Sequence, residues 1–364
     1  MSVADIYVMK LKENGFMKKI IVVFAGLMIA LLLIGCGRSR PDTAEGRLRV
    51  VATIFPQFDF VRQIAGDRVA LTMLLSPGAE SHGFEPTPRD IITINSADLL
   101  IYVGGHGDVW VEPILTSLGR EDMRTVALLH LVDTVMQEHH QHHHAHHHHD
   151  HGHHHAHEHH DCGDASCAID HGHGHHHHAH HHHHPHHEPH YDEHVWTCPR
   201  NVIAIVRSLA ETLSELDPGN ASYFRANAAA FITELEALDR AFADVVANAA
   251  RTTVVFGDRF PFRYLIDTYG LTHFAAFDGC CAQTQASPAT IAMLIETVRE
   301  ENIPVVFHIE FSNRFIANVI AEATGARLLE LHSLHNVSHA DFSAGVTYLD
   351  LMRRNVQALR EALN

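Results

Sequence analysis

This sequence is short of positive charge. Its 364 residues carry 26 Lys and Arg against 43 Asp and Glu, a formal net charge of −17 at pH 7. Nucleic-acid binding needs clustered Lys and Arg to neutralise phosphates, so that class of partner is excluded. The balance suits a protein that handles cations instead. Between Arg124 and Arg200 there is no Lys or Arg at all, so nothing cationic competes with an incoming metal ion there. Two motifs are also missing. No Gly-x4-Gly-Lys-Ser/Thr stretch occurs, so nothing in the chain cradles nucleotide phosphates as an ATPase must. No His-Glu-x-x-His stretch occurs either. That argues against a metallohydrolase, which needs an open coordination position and a general base.

Histidine is abundant where positive charge is absent. Residues 139–190 hold 30 of the 39 histidines, in runs such as 146–149 and 180–184. Imidazole is the commonest metal side-chain ligand and suits zinc, copper and nickel. A His-rich tract therefore reads as metal-binding by composition. It has almost no aliphatic residues to offset the entropy of ordering it, so a disordered insertion is expected. The run is internal and interrupted by Asp, Glu and Cys, unlike a purification tag. Near pH 6 it would gain protons and lose metal affinity.

The N-terminus reads as an address. Lys18 and Lys19 precede an apolar run at 20–34, then Gly35 and Cys36. A basic start, a short apolar stretch and a small residue before cleavage make a secretory signal. The run of about 15 residues is too short for a comfortable membrane span, though a single-pass anchor is the competing reading. Leu33-Ile34-Gly35-Cys36 resembles the bacterial lipoprotein box, which implies lipidation at Cys36. Residues 1–16 are polar for a signal start, which makes Met17 a candidate initiator. The expected divisions are a signal at 1–36, a tether at 37–46, and a folded part outside the cytoplasmic membrane. Of the other five cysteines, Cys162 and Cys167 lie in the His-rich tract as candidate metal ligands or a local disulfide. Cys198, Cys280 and Cys281 complete the set, and disulfides persist in such a compartment.

Beyond the tether, apolar runs alternate with helical patterns. Strands are expected at 48–54, 69–75, 99–103 and 126–129, with helices at 58–65, 89–95 and 110–118. After the insertion come a helix at 199–216 and a long helix from 220 to about 249. Phe224, Ala228, Phe231, Leu235, Leu238, Phe242 and Val245 recur there at three- and four-residue steps as one apolar stripe. A second series places strands at 252–256, 272–277, 305–309 and 327–331. Its helices are at 264–269, 288–300, 313–324 and 341–363. Alternation of this kind gives parallel sheets covered by helices. The expected fold is α/β, with two Rossmann-like lobes linked by one long rigid helix. The N-terminal lobe is 47–217 and contains the insertion at 138–190; the linking helix is 218–249, and the C-terminal lobe is 250–364.

Ligands of open α/β sheets bind outside the carboxyl ends of the strands. By that rule His82, His194, His332, His335 and Asp258 are candidate metal-binding residues, each near a strand end or an inter-element loop. A zinc site needs three or four N, O or S ligands at about 2.0–2.3 Å. His106 follows Gly104-Gly105 as a lesser candidate, His308 reads as a core histidine, and Glu310 is a weak candidate at its strand's end.

The stretch from Pro77-Gly78 through His82 to Phe84-Glu85-Pro86-Thr87-Pro88-Arg89-Asp90 carries a resemblance. So does Asp192-Glu193-His194-Val195-Trp196 with the His-rich tract before it. In these motifs the chain resembles the metal-binding lipoproteins of ABC importers, in the zinc-uptake branch of the long-helix binding-protein class, over about 47–364. The resemblance implies His82 and His194 as ligands of Zn2+, carried as cargo. The family usually places His or Glu three residues before a Phe after the first strand of the C-terminal lobe. Counting back from Phe260 gives Gly257, with Asp258 beside it as a substitute. The stretch from Phe256 to Tyr264 resembles a sub-branch with that variation. A fourth ligand would come from Leu331-His332-Ser333-Leu334-His335, with His332 favoured over His335. Pairing of Cys198 with Cys280 or Cys281 is a further option. The implied function is capture of Zn2+ and delivery to a membrane permease with a separate ATPase, without catalysis. Alternatives are a zinc buffer uncoupled from a transporter and a manganese-binding member of the same family. Manganese favours more oxygen ligands than this His-dominated set supplies.

Overall fold

A computed structural model describes residues 46–81, 83–135, 191–277 and 286–364. His82, Cys36, the His-rich tract with Cys162 and Cys167, and Cys280 and Cys281 lie outside the described residues. Leu48–Asn364 forms one compact unit.

Two four-stranded parallel sheets carry the unit. The first has β1 (Leu48–Ala52), β2 (Val69–Met73), β3 (Leu99–Tyr102) and β4 (Arg124–Ala127), in the order β2-β1-β3-β4. The second has β5 (Thr253–Phe256), β6 (Thr272–Ala275), β7 (Val305–His308) and β8 (Arg327–Glu330), in the order β6-β5-β7-β8. Both sheets have the same wound order. Register runs Leu48↔Val69, Val50↔Leu99 and Leu99↔Arg124 in one, and Thr253↔Thr272, Val255↔Val306 and Val305↔Arg327 in the other. In each sheet the order reverses between the two central strands, so a crevice opens at the ends of β1 and β3 and of β5 and β7.

Helices of the first lobe are α1 (Phe55–Ala65), α2 (Pro88–Asn95), α3 (Val111–Leu118) and α4 (Pro199–Leu216). The link is α5 (Ala221–Ala247). The second lobe adds α6 (Arg263–Tyr269), α7 (Pro288–Glu300), α8 (Phe315–Thr324), α9 (His339–Ser343) and α10 (Tyr348–Leu363). The 27 residues of α5 span about 40 Å at 1.5 Å per residue. Its buried positions are the seven of the expected stripe, Phe224 to Val245. The helix packs against α1, α4 and α10. Phe242 stacks on Tyr269 at 5.4 Å, and Asn227 Nδ2 donates to Ile64 O at 3.0 Å. One continuous core therefore runs from Val50 in the first sheet to Phe307 in the second. Each fully buried Phe or Leu in it contributes about 1.5–3 kcal/mol.

Several boundaries differ from the sequence reading; β4, for one, is Arg124–Ala127 rather than 126–129, and two further departures have a clear cause. Helix α1 starts at Phe55 rather than at 58. Pro56 sits in its first turn, where no N–H is needed, and Gln57 Oε1 accepts the Ile54 N–H at 2.8 Å. The expected last helix is two. Gly345 adopts φ +73°, and Thr347 restarts the chain as an N-cap, exchanging hydrogen bonds with Asp350. The new start is held by buried Asp59, whose Oδ2 accepts the Tyr348 N–H at 2.6 Å. Among the described residues no helix is long and apolar enough to cross a membrane.

Candidate metal centre

Val135 and Tyr191 bound the described stretches on either side of the His-rich tract in sequence. The Asp192 N–H donates to Val135 O at 2.9 Å. Tyr264 of the second lobe fastens the same pair. Its hydroxyl donates to Asp192 O at 2.8 Å and accepts the Val135 N–H at 3.2 Å. Two residues on, buried His194 turns its Nδ1 to Asp192 Oδ1 at 2.8 Å, and its backbone N–H donates to the same oxygen at 2.9 Å. Burial works against the Asp192 charge, but His194 and then Arg263 outweigh it and hold the carboxyl below its usual range. An ionised carboxylate only accepts, so Nδ1 carries the proton and the imidazole lone pair falls on Nε2.

His335 faces His194 from the other lobe. Their ring centroids are 4.8 Å apart at 78°. Trp196 walls the pair, edge-on to both at 5.5 and 5.1 Å, and its Nε1 donates to Ser333 O at 2.8 Å. His335 Nδ1 lies 2.6 Å from Ser333 Oγ. That hydroxyl has one proton and gives it to Glu310 Oε1 at 2.5 Å, a distance typical of a charge-assisted bond. Ser333 must then accept from Nδ1–H, which again places the lone pair on Nε2. Glu310 follows β7, and its Oε2 accepts the Ser333 N–H at 2.6 Å.

His332 is arranged the other way. Leu334 adopts φ +64° and turns its N–H back onto His332 Nδ1 at 3.0 Å. A backbone N–H can only donate, so this Nδ1 holds the lone pair and the neutral ring carries its proton on Nε2. Glu310 Oε2 is 3.6 Å from the same nitrogen, too far for a hydrogen bond that would compete. The backbone of His332 is fixed by Asn355 through two bonds of 2.8 Å. The sequence reading favoured His332 over His335; the structure gives the two rings opposite tautomers.

Asp258 sits at the end of β5, buried, with Oδ1 accepting the Arg259 N–H at 2.8 Å and Oδ2 the Ile309 N–H at 3.3 Å. Its carboxylate braces two strand-end loops, and the structure does not join it with His194 and His335. The neighbouring Gly257 explains the missing side chain. A Cβ there would lie 2.3 Å from Ala317 Cα, because the start of α8 rests directly on the strand end.

Among the described residues no three His, Cys, Asp or Glu side chains converge closely enough to hold a metal ion. His194 and His335 are brought together; Asp258 and His332 are not part of that pair; His82 lies outside the described residues. His308 is a core residue, its Nδ1 3.0 Å from Ile309 O. His106 lies exposed in the turn after β3. Cys198 is a buried free thiol 3.2 Å from Thr268 Oγ1.

Residues missed from sequence are Asp192, Ser333, Trp196 and Asn336. The signal for two of them is present: a carboxylate two residues before one histidine and a hydroxyl two residues before the other. Asn336 Nδ2 donates to Ser76 O at 2.7 Å and Ala79 O at 2.9 Å, so the second lobe grips the loop that precedes position 82. The Gly78 N–H adds a bond to Val337 O at 2.8 Å. Glu193 holds the turn after β3 through the Gly107 N–H, at 2.9 and 3.0 Å to its two oxygens.

Two wound α/β lobes, one helix serving both, and paired imidazoles presented from either side define a two-lobed binding protein of the long-helix class. Over residues 50–362 the chain matches the family described as zinc-uptake complex component A, periplasmic, and it belongs to that family. The zinc-binding lipoprotein AdcA of Streptococcus pneumoniae serotype 4 is 28% identical over 345 residues, which are 95% of this chain and 61% of that protein. The chain thus spans about three fifths of the length of the AdcA relatives it matches. The high-affinity zinc uptake system protein ZnuA of Bacillus subtilis is 27% identical over 340 residues, 92% of this chain and 94% of that one. The crystal structure of the Zn(II)-bound ZnuA-like domain of Streptococcus pneumoniae AdcA aligns with a TM-score of 0.64 at 25% identity. It covers 87% of this chain and 99% of its own.

Proposed function

We propose that the chain captures Zn2+ outside the cytoplasmic membrane and delivers it to the permease of an ABC importer whose ATPase is a separate subunit. The observation that carries this reading is the pair His194 and His335. Each is buried, each comes from a different lobe, and each is set by its own acceptor so that Nε2 holds the lone pair. His82 joins them in the proposed ligand set, on the loop gripped by Asn336. Three imidazoles suit zinc and disfavour manganese, which takes more oxygen ligands. The role is binding and transfer, with no reaction on the ion. Cys36 is proposed to carry a lipid that keeps the protein at the membrane, with 37–46 as the tether.

Release follows from the fold. The core and α5 belong to both lobes, so wide hinge opening would tear apolar contacts along about 40 Å of helix. Release is therefore proposed to come from local loop movement at the cleft rather than from wide opening of the lobes. In sequence the His-rich tract lies between Val135 and Asp192, whose backbones are hydrogen-bonded to each other two residues from His194. It is proposed as a collector that raises the local zinc concentration at the cleft. The test is deletion of 138–189 in the full chain, followed by zinc titration against a competing chelator. One tight site should remain while total capacity falls. Loss of all tight binding would turn the reading to a buffer. Displacement of zinc by stoichiometric manganese would overturn the metal assignment.

A further inference from the structure

We infer that Glu310 and Ser333 are positioning residues that choose the tautomer of His335 and thereby make it a zinc ligand; this rests on His335 being a ligand, as proposed above. Glu310 receives two donors of different kinds. One is the Ser333 backbone N–H at 2.6 Å, whose direction is fixed by the peptide. The other is the Ser333 hydroxyl at 2.5 Å, which can rotate. The hydroxyl lies 2.6 Å from His335 Nδ1, so whichever way its proton points decides which ring nitrogen of His335 is protonated. A carboxylate pulls the proton toward itself, Ser333 accepts from Nδ1–H, and Nε2 keeps the lone pair that binds metal. All three groups are buried, so no water need stand in for a lost partner. The relay gives the second lobe's ligand the service that Asp192 gives His194 directly, with one hydroxyl interposed.

The same geometry makes an isosteric change invert the relay. Glu310→Gln supplies one acceptor and one NH2 group. The peptide N–H of Ser333 cannot turn, so it claims the amide oxygen. The amide NH2 then faces Ser333 Oγ and donates to it. The hydroxyl proton swings to His335 Nδ1, and the ring is driven to the Nε2–H tautomer, whose lone pair points away from the metal. Ser333→Ala removes the relay without imposing a tautomer, and Ser333→Thr keeps the hydroxyl.

The experiment uses the full chain stripped of metal, labelled with 15N-histidine, with the His335 resonances identified by their absence in His335→Gln. The nitrogen shifts report the tautomer, and zinc titration against a chelator reports the tight site. Wild type and Ser333→Thr should show Nδ1–H. Glu310→Gln should show Nε2–H, with tight-site affinity lower by about 10–100-fold. Ser333→Ala should show a mixture and an intermediate loss. An unchanged Nδ1–H signal in Glu310→Gln would overturn the relay. If the tautomer inverts but zinc affinity stays unchanged, the relay stands and the assignment of His335 as a ligand falls.

Discussion

Replacing Gly257 tests why the position beside Asp258 carries no side chain. A Cβ at 257 would meet Ala317 Cα at 2.3 Å and Ala317 N and Cβ at 2.7 Å, where ordinary contact begins at 3.4 Å. The obstruction is backbone, so no rotamer relieves it; α8 must retreat by roughly 1 Å for Gly257→Ala to fit. Ala317 and Ile320 on that helix are fully buried against Leu294, Val298 and Val306, and a retreat loosens all of these. Overpacking of this kind costs about 1–3 kcal/mol, and a rigid obstacle places this case near the top. At about 2–4 °C per kcal/mol, the melting temperature should fall by roughly 6–12 °C. Urea unfolding followed by the two tryptophans should show a lower midpoint at unchanged slope. Gly257→His should lose at least as much and should not tighten zinc binding. Wild-type stability in Gly257→Ala, or tighter zinc binding through the new imidazole in Gly257→His, would refute the packing argument.

Three further outcomes are expected. Asn336→Ala abandons two carbonyls of the 76–79 loop, which should cost about 1–3 kcal/mol in urea unfolding and weaken the tight zinc site. Phe231→Ala should cost about 3–5 kcal/mol. Because Phe231 belongs to a core common to both lobes, fluorescence and circular dichroism should still report one coincident transition. Burial pushes the Asp108 carboxyl up to about 6, against the pull of the Val103 and Gly104 N–H groups that its Oδ2 accepts. The folded value lies above the unfolded value of about 3.9, so folding binds the proton more tightly. That contribution is fully present below about pH 4 and is lost as pH rises to about 6. Asp108→Asn should remove this slope. Its stability relative to wild type should rise between those limits and then level; a flat difference would contradict the shift.

The long helix was legible because its stripe follows helical spacing over seven positions, and each of those positions is buried in the folded chain. The parallel sheets were legible from strands alternating with helices. The break at Gly345 was not, because the apolar pattern continues across it and the new start at Tyr348 depends on Asp59, 289 residues away. His194 could be singled out by its motif. The choice between His332 and His335 could not be made from spacing, since both follow the same strand. What separates the two rings in the fold is Leu334, whose left-handed backbone points an N–H at His332, and Glu310, 23 residues before Ser333, which accepts from the hydroxyl beside His335. Gly257 looked like an omission from the ligand pattern. Its cause is the approach of a helix that begins 58 residues later, which no local pattern reveals.

The central claim is that zinc is held by imidazoles whose Nε2 lone pairs are fixed by their neighbours, with His335 rather than His332 supplying the second lobe's share. Zinc titration of the full chain against a competing chelator, with His335→Ala and His332→Ala compared side by side, tests it most directly. The expected result is loss of the tight site in His335→Ala and its retention within a few-fold in His332→Ala. Retention in His335→Ala with loss in His332→Ala would contradict the account.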